Sequence, residues 1–132
     1  STVKHTHHRA DVDQPGKDSY RHREAGAGQV ILSSSSRWAL MTELRGAPEA
    51  TLADLLARLD QADLILVEGY KRDAHPKVEV WREETGHPLI QPGDPLVRAV
   101  ATDAALGLPV PVLDLNDTRA VADFILREVG LV

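Results

Sequence analysis

The sequence predicts an α/β domain with a mostly parallel sheet flanked by helices. Two short, continuous apolar runs, 30–32 and 64–67, are typical of parallel strands that are covered on both faces. Amphipathic helical patterns alternate with such runs along the chain, which is the signature of this class. The chain of 132 residues has the length of one domain, and we predict a single domain over residues 1–132.

Further strands are predicted from shorter signals. The chain opens with a strand-like segment at 2–5, and residues 78–81 alternate with a period of two, which favours a half-exposed strand. Two more apolar segments, 98–102 and 110–113, have strand character. Because Pro111 has no N–H to donate to a ladder, we expect the last of these strands at a sheet edge.

Three helices are predicted from spacing and capping residues. A short one covers about 19–25, where Gly26 ends it, and leucines at helical spacing define a second over 52–59 with Thr51 as N-cap. A third covers 121–129 near the C-terminus. The remaining N-caps are assigned to Asp18 or Ser19 and to Asn116 or Asp117.

Composition and charge exclude several function classes. The formal net charge is −5, so bulk electrostatics give no reason to expect binding to nucleic acid or an anionic membrane. No apolar run is long enough to span a bilayer. The absence of cysteine suits a reducing cytoplasm, and we predict a cytoplasmic protein.

The most polar part of the chain, residues 3–27, has too few apolar side chains to build a core and is expected to face a charged ligand. Lys4 and His5 follow the first strand, where a lysine can pair with phosphate oxygens. Asp11 and Asp13 could hold Mg²⁺ directly or through water. Taken alone, a solvated charged loop is an equal alternative for this stretch.

A transition-metal site is a further alternative for the same stretch. His5, His7 and His8 could bind zinc together with the nearby aspartates, since imidazole and carboxylate are suitable ligands. Their spacing matches no specific zinc pattern, so we rank this alternative below phosphate binding.

Gly16 and Lys17 lead into the first predicted helix, where backbone amides attract anions and a glycine permits close approach. The segment is not a Walker A loop, because Asp11 stands where the first glycine of G-x-x-x-x-G-K-[ST] would be. The pattern occurs nowhere else in the chain. An ordinary turn and helix start is the better interpretation of this motif alone.

The apolar run 64–67 ends in Glu68 and Gly69, which is the pattern of a Walker B strand. In such strands the carboxylate meets Mg²⁺ or the attacking water, and the glycine lets the backbone approach the γ-phosphate. The alternative is a salt-bridged glutamate. Lys71 is expected to pair with Glu68 or to reach a phosphate.

Asp103 directly follows the strand predicted at 98–102. A strand-end aspartate in a late strand can accept hydrogen bonds from a guanine edge, and helix capping is the alternative. In open parallel sheets ligands lie at the carboxyl ends of the strands. We therefore expect the four polar clusters at strand ends to form one binding site.

Several of these segments together resemble the MobB family, the molybdopterin-guanine dinucleotide biosynthesis adapter proteins. The resemblance covers nearly the whole chain as far as residues 112–117. The most specific segments are Asp-Gln-Pro-Gly-Lys-Asp-Ser at 13–19 and Glu-Gly-Tyr-Lys at 68–71. The other segments that carry it are 4–8, 11–12, 21–27, 43–46 and 66–67.

The resemblance implies a P-loop NTPase-like, GTP-binding fold, Mg²⁺, a homodimer and weak GTP hydrolysis. It also implies partnership with the nucleotidyltransferase MobA, which joins GMP to molybdopterin. By position, Lys4 and the histidines after it would line the phosphate side, and Asp11 and Asp13 would lie in a switch-like loop. Glu68 would have the Walker B role, as the catalytic carboxylate and, with Asp13, as a metal ligand. No family motif assigns Asp103.

Members of this family begin with a strand, a Walker A loop and a helix, which these 132 residues lack. We therefore expect the chain to be the remainder of a longer protein, or a form without a P-loop, and expect no GTP turnover from it in isolation. The leading hypothesis is a GTP-binding adapter in molybdenum cofactor biosynthesis. The alternatives are a non-catalytic interaction module that has lost nucleotide binding, and the His/Asp metal-binding domain.

Overall fold

The structure, a computed structural model, describes residues 1–8 and 10–132. The chain divides into two compact units, Ser1–Gly69 and Tyr70–Val132. Each unit has its own parallel strand pairing, which confirms the predicted mixed α/β class. The prediction of a single domain stays a prediction.

The first unit contains a parallel pair between the two segments that were predicted to end in site residues. Strand β1 (Thr2–Lys4) pairs with β4 (Leu66–Glu68), and Lys4 is the register partner of Glu68. The β4 strand is shorter than its apolar run predicted, and Leu66 is 45% exposed. The pairing places the last residues of both strands side by side.

The predicted buried parallel strand at 30–32 is wrong in both respects. Strand β2 (Gln29–Ser33) pairs antiparallel with β3 (Trp38–Thr42). Ile31 is 65% exposed and Trp38 is 69% exposed. The hairpin forms because the Ser34 hydroxyl accepts the amides of Ser36 and Arg37, which closes the polar turn. An antiparallel ladder of this kind can face water, which a parallel sheet does not.

Helix α1 (Asp18–Glu24) begins one residue earlier than predicted. Its N-cap is Lys17, and no side chain caps it, so the assignment of the cap to Asp18 or Ser19 is wrong. The Ser19 hydroxyl donates instead to Asp13, 2.8 Å away. A residue that would have capped the helix therefore fixes the preceding loop.

Helix α2 (Leu52–Leu56) confirms the predicted cap. Thr51 Oγ1 accepts the Asp54 amide and the Asp54 carboxylate accepts the Thr51 amide, which together form a capping box. Leu52 is buried on the inner face. The helix ends before Leu59, so it covers only the first part of its apolar pattern.

The second unit is built on a three-stranded parallel sheet in the order β5-β6-β7. The strands are β5 (Lys77–Trp81), β6 (Val97–Thr102) and β7 (Val112–Asp114). The central strand forms the core, since Ala99 and Val100 are fully buried. The edge position of β7 confirms the prediction from Pro111.

Helix α3 (Thr118–Glu128) follows β7, with Asp117 as its N-cap accepting the Ala120 amide at 2.9 Å. This confirms one of the two caps proposed for it. Helix α3 has 11 residues. No helix in the described part of the chain is long and apolar enough to cross a membrane.

In β5 a charged residue is buried and an apolar residue is exposed, which reverses the usual alternation of a strand. Glu79 is 8% exposed, whereas Val80 is 68% exposed. Both oxygens of the Glu79 carboxylate accept backbone amides, from Ile90 at 2.7 Å and Gln91 at 2.9 Å. The proline-rich loop at 87–95 is thus held on the sheet by a buried carboxylate, because buried acids persist where their oxygens are hydrogen-bonded.

Candidate functional site

The carboxyl ends of β1 and β4 form the centre of the candidate site. Lys4 Nζ donates to Glu68 Oε1 at 2.8 Å, and the two side chains are 67% and 71% exposed. The His5 amide donates to the Glu68 carbonyl at 2.9 Å, which extends the ladder by one bond. Glu68 therefore pairs with Lys4, whereas the sequence had suggested Lys71.

Gly69 is required by close packing against His5. Its φ is +90°, and a Cβ at this position would lie 2.9 Å from the His5 Cβ. Real Cβ atoms do not approach side chains so closely, and the left-handed backbone independently favours glycine. The sequence predicted a backbone approach to a phosphate here, and the structure shows an approach to the chain itself.

His5 is itself fixed by contacts. Its Nε2 lies 2.7 Å from Glu49 Oε1, and its side chain is 19% exposed. The His5 ring packs edge-on against the His7 ring with centroids 4.8 Å apart. His5 therefore joins the strand end to the segment that precedes α2.

A second cluster forms around Arg23, whose guanidinium contacts three carboxylates. It lies 2.8 Å from Asp11, 3.2 Å from Asp13 and 3.0 Å from Glu43. The hydrogen bond to Glu43 is the largest cause of the raised pKa of Arg23, with the bonds and charges of the two aspartates adding to it. The switch-like loop that contains Asp11 and Asp13 is thereby tied to α1 and to the end of β3.

Asp13 is the most buried acid of this cluster, with a side chain 3% exposed. Its Oδ1 accepts the Gln14 amide and the Ser19 hydroxyl, and its Oδ2 accepts Arg23 Nε. Burial alone would raise the pKa of Asp13, but these hydrogen bonds and the Arg23 charge outweigh it and lower the pKa. Metal binding by Asp13 would require it to exchange some of these partners.

Gly16 and Lys17 form a turn at the start of α1. Gly16 has a φ of +85°, and the Lys17 amide donates to the Gln14 carbonyl at 3.2 Å. A Cβ on Gly16 would meet nothing within 4 Å, so the backbone angle is what requires glycine there. This geometry matches the turn that was the alternative to an anion loop.

Two predicted site residues, Lys71 and Asp103, lie in the second unit. Asp103 follows β6, and its Oδ2 accepts Arg82 Nη1 at 3.0 Å. It lines an open cavity of about 360 Å³ at the carboxyl ends of β6 and β7, with Asp114 and Asn116. Lys71 lines a different cavity of about 470 Å³. Among the predicted site residues, the structure thus brings together Lys4, His5, Glu68 and Gly69 in one group, and Asp11 and Asp13 in a second group on Arg23.

Comparison with known proteins identifies the family. The sequence model of the family "Molybdopterin guanine dinucleotide synthesis protein B" matches residues 1–103. The chain belongs to this family, MobB.

Curated MobB relatives match along almost the whole chain. The molybdopterin-guanine dinucleotide biosynthesis adapter protein of Escherichia coli K12 is 49% identical over 128 residues, which cover 95% of this chain and 73% of the relative. The protein of the same name from Haemophilus influenzae is 44% identical over 128 residues and 70% of its length.

Solved MobB structures share the fold. A MobB homologue from Bacillus stearothermophilus has a TM-score of 0.62 at 26% identity, covering 99% of this chain and 77% of that one. A second structure, of molybdopterin-guanine biosynthesis protein B, has a TM-score of 0.70 at 21% identity and covers 96% and 77%. The likeness confirms the predicted P-loop NTPase-like α/β class.

The donor chemistry of this MobB member can be tested against Mg²⁺ and against a transition metal. Mg²⁺ takes one or two carboxylates and completes its shell with water and phosphate oxygens, which the exposed Glu68 carboxylate suits. No group of three or more histidine, aspartate or glutamate side chains in the described residues could hold a metal ion. The described residues thus lack the set of ligands that the transition-metal alternative requires.

Sequence reasoning missed three residues that organise this MobB site: Arg23, Glu43 and Glu49. A signal for Arg23 was present, because Ser19 and Arg23 stand four residues apart on α1 and both contact Asp13. Glu43 and Glu49 reach their partners only through the tertiary fold, and no local pattern marks them.

Proposed function

We propose that this chain is a GTP-binding adapter protein in the biosynthesis of molybdopterin guanine dinucleotide, where it assists a MobA-type enzyme that transfers GMP. Membership of the MobB family and the names of relatives at 44–49% identity support the pathway. The observation that carries the nucleotide site is the exposed Lys4–Glu68 pair at the carboxyl ends of two parallel strands.

The pair is suited to a ligand that carries both charges. Mg²⁺·GTP would supply a cation for the Glu68 carboxylate and phosphate oxygens for the Lys4 ammonium. Each side chain would exchange its present partner for one of opposite charge, so neither is left unpaired. Because both are mostly exposed, their mutual attraction is weak and is readily replaced.

The other predicted residues have supporting roles in this proposal. His5 and Gly69 fix the backbone at the strand ends, and Asp11 and Asp13 hold the switch-like loop on Arg23. We propose Glu68 and Asp13 as the metal ligands and Glu68 as the catalytic carboxylate of any weak hydrolysis. Gly16, Lys17, Lys71 and Asp103 remain proposed nucleotide contacts.

We also propose that the protein is cytoplasmic and acts as a homodimer. Apolar side chains exposed on the β2–β3 hairpin support association with a second chain. The most exposed of them are Ile31, Leu32 and Trp38.

The test is a titration of Mg²⁺·GTP into the Glu68→Gln variant by calorimetry. We expect at least about a tenfold loss of affinity, because the neutral glutamine amide cannot replace the anionic oxygens that the Glu68 carboxylate offers to the cation. Glu128→Gln is the matched control, since it also removes an ion-paired glutamate, here paired with Arg98, and should leave affinity unchanged. Equal affinity in both variants would remove Glu68 from the site.

A second candidate function is an interaction module that docks its partner without nucleotide. The complete satisfaction of the Asp13 carboxylate by protein groups favours it. Under this alternative, capture of the MobA-type enzyme would be independent of Mg²⁺·GTP and insensitive to Glu68→Gln. Under the leading proposal, nucleotide would change the affinity for the enzyme.

A further inference from the structure

The 470 Å³ cavity of the second unit lies between the loop that precedes β5 and the segment that precedes β6. Lys71 and Arg72 line it from the first loop, and Ile90 and Leu96 line it from the second. Its volume falls in the range of small-molecule pockets, about 300–1,000 Å³. The cavity is open to solvent, so a small ligand can enter it directly.

Lys77 at the start of β5 fixes the frame of the cavity. Its ammonium donates to the carbonyls of Asp73 at 2.6 Å and His75 at 3.1 Å, and it pairs with Asp94 at 3.1 Å. Its side chain is only 10% exposed. The three donors of this ammonium are thereby all used, so Lys77 joins the two loops and leaves little capacity for a ligand.

Asp94 is engaged in the same frame. The amide of Leu96 and the ammonium of Lys77 both bind its carboxylate and hold its pKa below the usual range. Because this acid stays ionised and paired with Lys77, the two charges cancel within the cavity wall. The electrostatic character of the cavity is therefore decided by the remaining side chains.

Those remaining side chains favour an anion. Lys71 and Arg72 are exposed, and neither forms an ion pair within the part of the chain that the structure describes. Asp73 is the one lining carboxylate that opposes them. An ammonium and a guanidinium from consecutive residues at one cavity can share the oxygens of a phosphate group.

We propose that this cavity binds the phosphate group of a ring-bearing phosphate monoester. Lys71 and Arg72 contact the phosphate, while Ile90 and Leu96 contact the ring. Ile90 is 36% exposed, so its side chain is available to cover a flat apolar face. The proposal goes beyond the nucleotide site at Lys4 and Glu68, which it does not require. It reassigns Lys71, proposed above as a nucleotide contact, to this separate ligand and adds Arg72 to the functional residues.

The experiment follows the amide chemical shifts of the whole chain while it is titrated with phenyl phosphate and, separately, with inorganic phosphate. We expect shift changes that map to residues 71–77 and 90–96, with phenyl phosphate binding more tightly than inorganic phosphate. The double variant Lys71→Gln/Arg72→Gln should lose at least about tenfold in affinity for phenyl phosphate. Arg119→Gln/Arg127→Gln removes the same charge from α3 and is the control.

A further variant is expected to strengthen binding of phenyl phosphate and so tests the role of charge in the cavity. Asp73→Asn removes the opposing carboxylate and should strengthen phenyl phosphate binding about two- to fivefold. Equal losses in the double variant and its control, or shift changes that do not map to the two segments, would overturn the proposal. If inorganic phosphate binds as tightly as phenyl phosphate, the ring makes no favourable contact with the cavity and the proposed ring-bearing ligand is refuted.

The same variants separate this proposal from the nucleotide site. Glu68→Gln should leave phenyl phosphate binding unchanged even if it abolishes Mg²⁺·GTP binding. If GTP displaces phenyl phosphate and Glu68→Gln weakens both ligands together, the cavity belongs to the nucleotide site and the separate ligand is refuted. Loss of phenyl phosphate binding in the double variant, with binding unchanged in Glu68→Gln, supports the proposal whether or not Glu68→Gln weakens GTP binding.

Discussion

The ammonium of Lys4 lies 2.8 Å from the carboxylate of Glu68, and the two residues are register partners at the ends of neighbouring parallel strands. The pairing follows from the strand register, which places the two Cα atoms side by side. A ligand that binds either charge must therefore compete with the other. Removal of the Lys4 charge should therefore strengthen cation binding at Glu68 and weaken phosphate binding.

Lys4→Gln should raise the affinity for Mg²⁺ alone about two- to fivefold, because it frees the Glu68 carboxylate from an exposed ion pair of small net value. The same change should weaken binding of GTP, since the ammonium that meets the phosphate is lost. Calorimetric titrations with MgCl₂ and with Mg²⁺·GTP measure the two effects. Arg37→Gln, an exposed charge in the β2–β3 turn, should change neither, and unaltered Mg²⁺ affinity in Lys4→Gln would speak against Glu68 as a ligand.

Gly69→Ala should lower the free energy of unfolding by about 1–3 kcal/mol more than Gly46→Ala. The two glycines have nearly the same φ, +90° and +89°, so the backbone strain is matched. Only at Gly69 does the added Cβ meet another atom, His5 Cβ at 2.9 Å. Chemical denaturation of both variants measures the difference, and equal destabilisation would show that His5 moves aside freely.

Asp13→Asn should destabilise the protein at neutral pH and have a smaller effect in acid. The native pKa of Asp13 is lowered, so its ionised form adds stability above the unfolded value of about 4 and loses that contribution as the pH falls through the native pKa. Thermal midpoints of wild type and variant should therefore differ by several degrees at pH 7 and converge below pH 4.

Asp60→Asn serves as the control for this acid series, because Asp60 is an exposed aspartate in the same unit of the chain. Its midpoint should follow that of the wild type at every pH. A constant gap between wild type and Asp13→Asn over the whole range would contradict a role for the ionised carboxylate in holding Arg23.

Glu79→Gln should destabilise the second unit by about 1–3 kcal/mol, since an amide oxygen can accept only one of the two amide contacts in place and leaves the other donor unpaired. Hydrogen exchange at the amides of Ile90 and Gln91 should accelerate. Glu83→Gln, at an exposed 3-10 turn, should stay within about 0.5 kcal/mol of wild type. Unchanged exchange at both amides would show that the loop does not depend on the carboxylate.

Local features could be predicted because their causes lie within a few residues. Thr51 and Asp54 cap α2 with their own side chains, and Asp117 caps α3 in the same way. Pro111 restricts its strand to an edge through its missing N–H. Each of these depends on backbone groups no more than four positions away, so the pattern alone decides them.

The candidate site was predictable only in part. Glu68 and Lys4 could be placed at strand ends because both follow apolar or strand-like runs, but their mutual contact depends on the register between strands 64 residues apart. The environment of Asp13 depends on Arg23, which approaches it from a different element. The Lys4–Glu68 pairing is non-local and no spacing rule determines it, whereas the spacing of Ser19 and Arg23 on α1 is a partial signal for the contacts of Asp13.

The sequence by itself determined the α/β class, the N-cap of α2 and the identity of the polar residues that follow the strands, and it narrowed the N-cap of α3 to two candidates. The tertiary structure decided which partner each residue has: Lys4 for Glu68, Arg23 for Asp13, and β3 for β2. The physical reason is that helix caps and periodicity are short-range, whereas strand register and ion pairing depend on which distant segments pack together. The same packing brings Ile90 and Leu96 to the cavity that Lys71 and Arg72 line.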